Sequence, residues 1–148
     1  MQKIKVIPYD GRYRDDMIFM VLAAKDALGR KPRINEDLLD VEKSYLEKGD
    51  MFWLAIDEND RVVGCVGCSR TSGTAEAFLH RLYVKAPLKR RGIGTALLLT
   101  AERAMKERGI GICRVHLGEP REQRIEAYGF YPKHGYTEYE PGYMMKNL

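Results

Sequence analysis

The chain has 148 residues, of which 45% are hydrophobic and 31% are charged. Length and composition of this kind are typical of one globular domain with a sizeable core, so we expect a single domain over residues 1–148. No apolar run approaches the roughly 20 residues that a membrane span needs. The net charge of +4 arises from 25 cations that are mostly interleaved with 21 anions. Composition therefore favours neither a membrane nor a nucleic acid as the partner.

The amino terminus, MQKIKVIPYD, alternates polar and apolar residues and predicts a first strand. It lacks the apolar segment of a secretory signal, so we expect a cytoplasmic location. A helix is predicted from Tyr13 to Leu28, where apolar residues recur with a helical period and Gly29 can end it. A second helix is predicted from about Asn35, as the cap, to Lys48.

Three strand-like runs follow, MFWLAID, VVGCVGCSR and AEAFLHRLYV, and their short connections predict an antiparallel meander. The run TALLLTAERAMKERG is the strongest helical pattern in the chain. Another strand is predicted at ICRVHLG, and a helix from Pro120 to about Phe130. The runs YTEY and YMMKN predict a closing hairpin. A meander followed by a strand–helix–strand crossover predicts an α/β fold with a mixed, mostly antiparallel sheet and about four flanking helices.

Cys65 and Cys68 form a CxxC pattern inside the valine-rich run RVVGCVGCSR. Residues three apart in a strand point to opposite faces of the sheet, whereas a redox CxxC needs the start of a helix. The three histidines, His80, His116 and His134, are scattered singly and supply no second pair of zinc ligands. We therefore expect buried, unreactive cysteines and no metal.

The segment KRRGIGT, Lys89 to Thr95, lies between the strand that ends at Val84 and the strongest helix. The first backbone N–H groups of a helix attract anions, and glycines such as Gly92 and Gly94 let a phosphate approach the backbone. The segment also carries three cations, Lys89, Arg90 and Arg91, and the hydroxyl of Thr95. It predicts a phosphate-binding loop, with a solvated basic turn as the alternative.

Two common nucleotide-binding loops do not fit this segment. The Rossmann fingerprint requires a third glycine where this chain has Leu97, and its parallel first strand is missing. A Walker loop requires a lysine directly after its second glycine, but Gly94 is followed by Thr95. The segment is therefore neither a Rossmann nor a Walker nucleotide-binding loop.

The run LHRLYVKAPLKRRGIGTALLLTAERAMKERG resembles the acetyl-CoA motif of the GNAT superfamily of N-acetyltransferases, whose core is Gln/Arg-x-x-Gly-x-Gly/Ala. Lys89 stands at the first position of that core. EAYGFYPKHGY is similar to the second family motif, Ala-x-x-Phe/Leu-Tyr-x-x-x-Gly-Phe, with Tyr131 in register. Arg124 stands where many members have asparagine. The order of elements also agrees with the GNAT fold, which implies a sheet splayed between its fourth and fifth strands.

The resemblance implies an N-acetyltransferase that transfers an acetyl group directly from acetyl-CoA, its cosubstrate, to an amine. In the family pattern the pyrophosphate lies on backbone amides at the start of the long helix, and the pantetheine arm lies along the preceding strand. The binding residues implied here are Leu82, Tyr83, Val84, Lys89, Arg90, Arg91, Gly92, Ile93, Gly94, Thr95 and Arg124.

Tyr131 occupies the family's general-acid position. A phenol with a pKa of about 10 can protonate the departing thiolate, and a tyrosine that only packs is the alternative. Many members carry a glutamate base where this chain has Phe78. Strand parity and position leave four candidate bases, Glu76, His80, His116 and Glu119. A base acting through water, or solvent alone, is a further alternative.

The resemblance places the acceptor near the first two helices and the closing hairpin, but charged helices are ordinarily solvated, so the sequence does not identify the amine. The acceptor could be a small-molecule amine or a peptide amine. The sequence also leaves a homodimer open as the oligomeric state. A non-catalytic acyl-CoA sensor is the main alternative function. A basic nucleic-acid-binding module is a second, and it would bind with strong salt dependence.

Overall fold

The computed structural model describes residues 3–31, 33–118 and 121–148, and only the backbone of residues 122 and 123. Its strands are β1 Lys5–Pro8, β2 Met51–Ile56, β3 Val62–Arg70, β4 Glu76–Val84, β5 Ile112–His116, β6 Thr137–Glu140 and β7 Tyr143–Asn147. They form one sheet in the order β1-β2-β3-β4-β5-β7-β6. Among the strands of the described residues, only β4 and β5 pair in parallel, so the predicted mixed, mostly antiparallel sheet is confirmed.

Four α-helices accompany the sheet in the described part of the chain: α1 Arg14–Ala27, α2 Val41–Ser44, α3 Ile93–Glu107 and α4 Ile125–Lys133. Helix α3 forms the crossover between the parallel strands β4 and β5. None of the helices built from the described residues has the length and apolar character that crossing a bilayer requires.

The second helix predicted from the sequence is wrong as a single element. The segment forms three short pieces instead, a 3-10 turn at Glu36–Leu39, then α2, then a 3-10 turn at Leu46–Lys48. Asn35 directly precedes the first of these pieces, but its side chain makes no capping hydrogen bond. Its Oδ1 instead accepts a hydrogen bond of 2.7 Å from Lys25 Nζ. Asp40 caps α2 by accepting a hydrogen bond of 3.0 Å from the backbone N–H of Lys43. A tertiary contact to α1 thus replaces the local contact that the pattern suggested.

Two hydrophobic cores lie on opposite faces of the sheet. Helix α3 covers one face with Leu97, Leu98 and Met105, which are fully buried. Helix α1 covers the other face. Cys65 belongs to the α1 core and Cys68 to the α3 core, and burial raises the pKa of each thiol to about 12. The predicted buried cysteines on opposite faces are confirmed.

Phe52 of β2 packs closely on Gly67 of β3 within the α1 core. The two residues face each other in the strand register, and Phe52 is only 1% exposed. A Cβ at Gly67 would lie 2.6 Å from Phe52 Cδ2 and 3.0 Å from Tyr45 Cε1. Because both neighbours are parts of packed rings, only a residue without a side chain fits here.

We predict that Gly67→Ala lowers the free energy of unfolding by about 1–3 kcal/mol, because the added methyl group overpacks this core. Urea denaturation followed by circular dichroism measures the change. Gly111→Ala is the matched control, since a Cβ there has no neighbour within 4 Å. Equal stability of the two variants would contradict the packing argument.

Candidate active site

A cleft opens where β4 and β5 separate. Their parallel register runs from Glu76 opposite Ile112 to Leu79 opposite Val115 and ends there. Beyond that point β4 continues to Val84 with β3 on its other edge. Side chains and backbone of both strands line the resulting cleft, which has a volume of about 790 Å³. The splay predicted between the fourth and fifth strands is therefore present.

A β-bulge in β4 lies at the start of this separation. Gly67 of β3 pairs with His80, whereas Cys65 pairs with Tyr83, so two residues of β4 face one of β3. Arg81, inside the bulge, has a φ of 56°, a left-handed conformation that is unusual for a residue with a side chain. The Cys65 thiol donates a hydrogen bond of 3.2 Å to the Arg81 carbonyl. Because a bulge bends its strand, this one directs β4 away from β5.

The guanidinium of Arg81 bonds to the carboxylate of Asp37, just before α2. Arg81 Nε lies 3.1 Å from Asp37 Oδ2, and Arg81 Nη2 lies 3.1 Å from Oδ1. The Tyr45 hydroxyl donates a further hydrogen bond of 2.6 Å to Oδ2. Burial tends to raise the pKa of Asp37, but the bonds from Arg81 and Tyr45 outweigh it and lower that pKa. This network anchors the segment around α2 to the bulge.

The predicted phosphate-binding loop leads into the start of α3. Gly92 caps this helix with a φ of 85°, so its backbone needs glycine. Gly94 lies in the first helical turn, and a Cβ there would lie 3.5 Å from the Phe130 ring, an ordinary contact. The first N–H groups of a helix have no acceptor within the helix, so this end can receive an anion. The residues present therefore fit a phosphate group.

Two contacts join this loop to α4 and so bring the two predicted motifs together. Lys89 Nζ donates a hydrogen bond of 2.6 Å to Glu126 Oε2. Thr95 Oγ1 lies 3.1 Å from His134 Nε2, at the other end of α4. Arg90 and Arg91 are exposed on the loop. Two of the expected phosphate contacts, Lys89 and Thr95, thus already have protein partners.

Tyr131 lies on α4 and contributes to the cleft wall. Its side chain is 5% exposed and packs edge-on against Tyr136, with ring centroids 5.3 Å apart. Burial raises the pKa of Tyr131 above its ordinary value of about 10. The phenol therefore stays protonated at neutral pH and can donate a proton.

The candidate bases fall in different places. His80 lines the cleft, its Nε2 lies 2.7 Å from Ser69 Oγ, and burial lowers its pKa, so the imidazole is neutral at pH 7. His116 lines the opposite wall and stacks on Tyr143 at 4.4 Å. Glu76, at the start of β4, forms an ion pair of 2.8 Å with Arg114. The candidate Glu119 lies outside the described residues. The structure brings the two histidines to the cleft and leaves Glu76 at the far end of its strand.

Sequence reasoning did not identify several cations that line the cleft. Lys25 and Arg30 come from the end of α1 and its following loop, and Arg81 comes from the bulge. Arg81 lies more than 50 positions after Lys25 and Arg30 in the chain. The three residues share no motif, so no local signal marks them. Within the described residues, no three His, Cys, Asp or Glu side chains are grouped in a way that could hold a metal ion.

Residues 19–136 match the family model of the Acetyltransferase (GNAT) family. The chain belongs to this family. The match contains both motifs, from the strand before the glycine loop to the helix that carries Tyr131. The family resemblance predicted from those motifs is confirmed.

Two curated relatives match part of the chain. The spermidine N(1)-acetyltransferase of Thermoplasma acidophilum is 32% identical over 87 residues, which are 59% of this chain and 51% of that protein. Human N-acetyltransferase 8 is 36% identical over 78 residues, which are 49% of this chain and 34% of that protein. The chain thus spans about half the length of the first relative and a third of the second.

Solved structures show the same fold over nearly the whole chain. A GNAT-family acetyltransferase from Staphylococcus aureus Mu50 superposes with a TM-score of 0.86 at 26% identity, covering 99% of both chains. The PaiA N-acetyltransferase from Thermoplasma acidophilum, solved in complex with coenzyme A, has a TM-score of 0.75 at 22% identity and the same coverage. The GNAT fold expected from the sequence is confirmed.

We predict that Gly94→Val weakens acetyl-CoA binding by about tenfold or more, because a branched side chain would obstruct the approach of the phosphates to the helix start, where charge-assisted hydrogen bonds would form. Arg90→Ala should weaken binding by no more than about fivefold, since Arg90 is an exposed cation. Isothermal titration calorimetry measures both affinities, and thermal unfolding verifies that each variant is folded. Equal losses, or a larger loss for Arg90→Ala, would show that side-chain charge dominates this site.

Proposed function

We propose that this protein, as one domain over residues 1–148, is an N-acetyltransferase that transfers an acetyl group from acetyl-CoA to an amine. One observation carries the proposal: the unpaired edge of β4 and the phenol of Tyr131 line one cleft, and the helix that carries Tyr131 is bonded to the loop at the start of α3. Membership of the GNAT family supports the same reaction. Acetyl-CoA supplies the acetyl group as a thioester, whose transfer releases the thiol.

The donor would bind along two elements. The backbone amides from Arg91 to Thr95 would hold the pyrophosphate at the start of α3, where Gly92 has the left-handed conformation that shapes the loop. The edge of β4 from Leu82 to Val84 would pair with the pantetheine arm, because β5 has already separated from it. The PaiA structure, which has the same fold and was solved in complex with coenzyme A, supports a coenzyme A thioester as the donor.

Tyr131 and His80 divide the proton transfers in this proposal. The amine nitrogen forms a bond to the acetyl carbon as the carbon–sulfur bond breaks. His80 accepts the proton lost by the ammonium group, for which its neutral imidazole at the cleft is suited. Tyr131 donates a proton to the sulfur, and burial keeps the phenol protonated until then. The second proton that the nitrogen loses as the amide forms passes to solvent, from which the phenol is protonated again. His116 and a solvent-mediated route are the alternatives to His80.

Calorimetry with acetyl-CoA, followed by a panel of amines with free thiol as the readout, tests the proposed function. Binding of acetyl-CoA together with thiol release that depends on an amine is expected. Absence of acetyl-CoA binding would contradict the donor site. Normal binding without turnover of any amine, and without an effect of Tyr131→Phe, would identify an acyl-CoA sensor instead.

We predict that Tyr131→Phe lowers kcat by about 10²- to 10⁴-fold, because it removes the proton donor and keeps the buried ring. The affinity for acetyl-CoA should stay within about twofold of wild type. Wild-type kcat should show no alkaline decline below pH 10 from this group, since burial raises its pKa. Tyr9→Phe, which removes a phenol at the β1 edge of the sheet, is the matched control. A wild-type rate in Tyr131→Phe at every pH would exclude the acid role.

We predict that the acidic limb of the kcat profile in wild type lies below pH 6.5. Burial lowers the pKa of His80 below that ordinary value, so the imidazole becomes charged, and unable to accept a proton, only at lower pH. Steady-state rates at saturating substrates measure this limb, and His80→Gln should abolish it. A profile that changes only in His116→Gln would transfer the role to His116. Unchanged profiles in both variants would leave the glutamate candidates Glu76 and Glu119 and the solvent route.

A further inference from the structure

The cleft between β4 and β5 is strongly cationic. Its described lining holds five lysines and arginines and no aspartate or glutamate: Lys25, Arg30, Lys31, Arg81 and Arg124. We call these five residues the cationic lining. They come from the end of α1, from the bulge in β4 and from the turn before α4, so the fold alone brings them together. Such a concentration of one charge attracts a ligand of the opposite charge.

Lys25 and Arg30 are held in place by contacts of their own. Lys25 is 8% exposed, and its Nζ donates hydrogen bonds to the Arg33 carbonyl and to Asn35 Oδ1. The backbone N–H of Arg30 donates a hydrogen bond of 3.0 Å to the Lys25 carbonyl. The Lys25 ammonium also lies 5.9 Å from the centroid of the Tyr83 ring. The Lys25 ammonium and the backbone at Arg30 are therefore positioned before any ligand arrives.

The cations of the lining affect one another's ionisation. Burial, together with the charges of Arg81, Arg30 and Arg124, lowers the pKa of Lys25. Burial and the charge of Arg124 lower the pKa of Arg30. Asp37 offsets part of this charge, but its carboxylate is engaged by Arg81. A bound anion would relieve the repulsion that remains.

The donor does not account for the four cations other than Arg124, which the family resemblance implies as a donor contact. The phosphates of acetyl-CoA would lie at the start of α3, and none of the loop residues from Lys89 to Thr95 is part of the described cleft lining. The pantetheine arm, which would enter the cleft along β4, is made of amides, a hydroxyl and a thioester and has no negative charge. The anion that suits the cationic lining must then belong to the acceptor.

We propose that the acceptor is a small amine that also carries a carboxylate, as an α-amino acid does, and that Arg30 with Lys25 holds this carboxylate. The inference rests on the proposed acetyl transfer and specifies its acceptor. The guanidinium of Arg30 can bind a carboxylate through two hydrogen bonds. The cleft volume of about 790 Å³ is in the range of small-molecule sites and must also hold the end of the pantetheine arm. A polyamine, which carries only positive charge, would be repelled.

Matched sets of amines test the proposal. Each L-amino acid is compared with its carboxamide and with the amine that remains after decarboxylation, and a polyamine is included. Thiol release from acetyl-CoA gives kcat/KM for each compound. We expect the carboxylate to raise kcat/KM by about tenfold or more over its two neutralised analogues, since a site built for a charged group rejects ligands that lack it.

Arg30→Gln separates recognition of the carboxylate from the other steps. It should lower kcat/KM for the amino acid by about tenfold or more and leave the carboxamide and the decarboxylated amine unchanged. The affinity for acetyl-CoA should stay at the wild-type value, and Arg30→Lys should recover part of the loss. Arg103→Gln, which removes an exposed cation on α3, is the matched control.

The outcomes distinguish this inference from the proposed function. Equal turnover of the amino acid, its carboxamide and the polyamine would overturn the carboxylate assignment and leave acetyl transfer standing. Loss of acetyl-CoA binding in Arg30→Gln would show that Arg30 binds the donor, and it would also overturn the carboxylate assignment. Binding of acetyl-CoA without turnover of any amine would overturn the proposed acetyl transfer. The proposed acceptor would then fall as well, because it rests on that reaction.

Discussion

The candidate site depends on the point at which β4 stops pairing with β5. Four residue pairs hold the two strands in parallel, and the last joins Leu79 to Val115. Beyond it the bulge at Arg81 bends β4, and the cleft opens. A strand edge without a neighbour presents backbone N–H and C=O groups that can pair with another extended chain. The same separation therefore creates both the space for a ligand and a row of backbone groups to bind it.

The separation needs rigid support, because a free strand edge would otherwise pair or fray. Helix α3 packs on one face of the sheet and α1 on the other, so β4 is fixed from both sides. Arg81 keeps its left-handed backbone because its guanidinium is bonded to Asp37, which also accepts a hydrogen bond from Tyr45. Strain of this kind persists only where neighbouring contacts determine the conformation. Here those contacts also place the segment around α2 beside the cleft.

Positive charge occurs at two separate places, and the proposed ligand chemistry explains why. The loop before α3 carries exposed cations, where the donor's phosphates would bind. The cationic lining lies inside the cleft, where the donor's arm is uncharged. Donor and acceptor can therefore be recognised by different cations, and a substitution can affect one without the other.

The sequence by itself determined the element order, the glycine-started helix α3 and the position of Tyr131, because these depend on local periodicity and on motifs of a few residues. Only the tertiary structure decided the partner of the Asn35 side chain, which bonds to Lys25. The helix predicted after Asn35 forms three short pieces instead. The bulge at Arg81 and the cationic lining were likewise decided by tertiary packing. Their residues lie far apart in the chain, and no local pattern encodes a contact that forms only when the sheet and both helix layers have assembled.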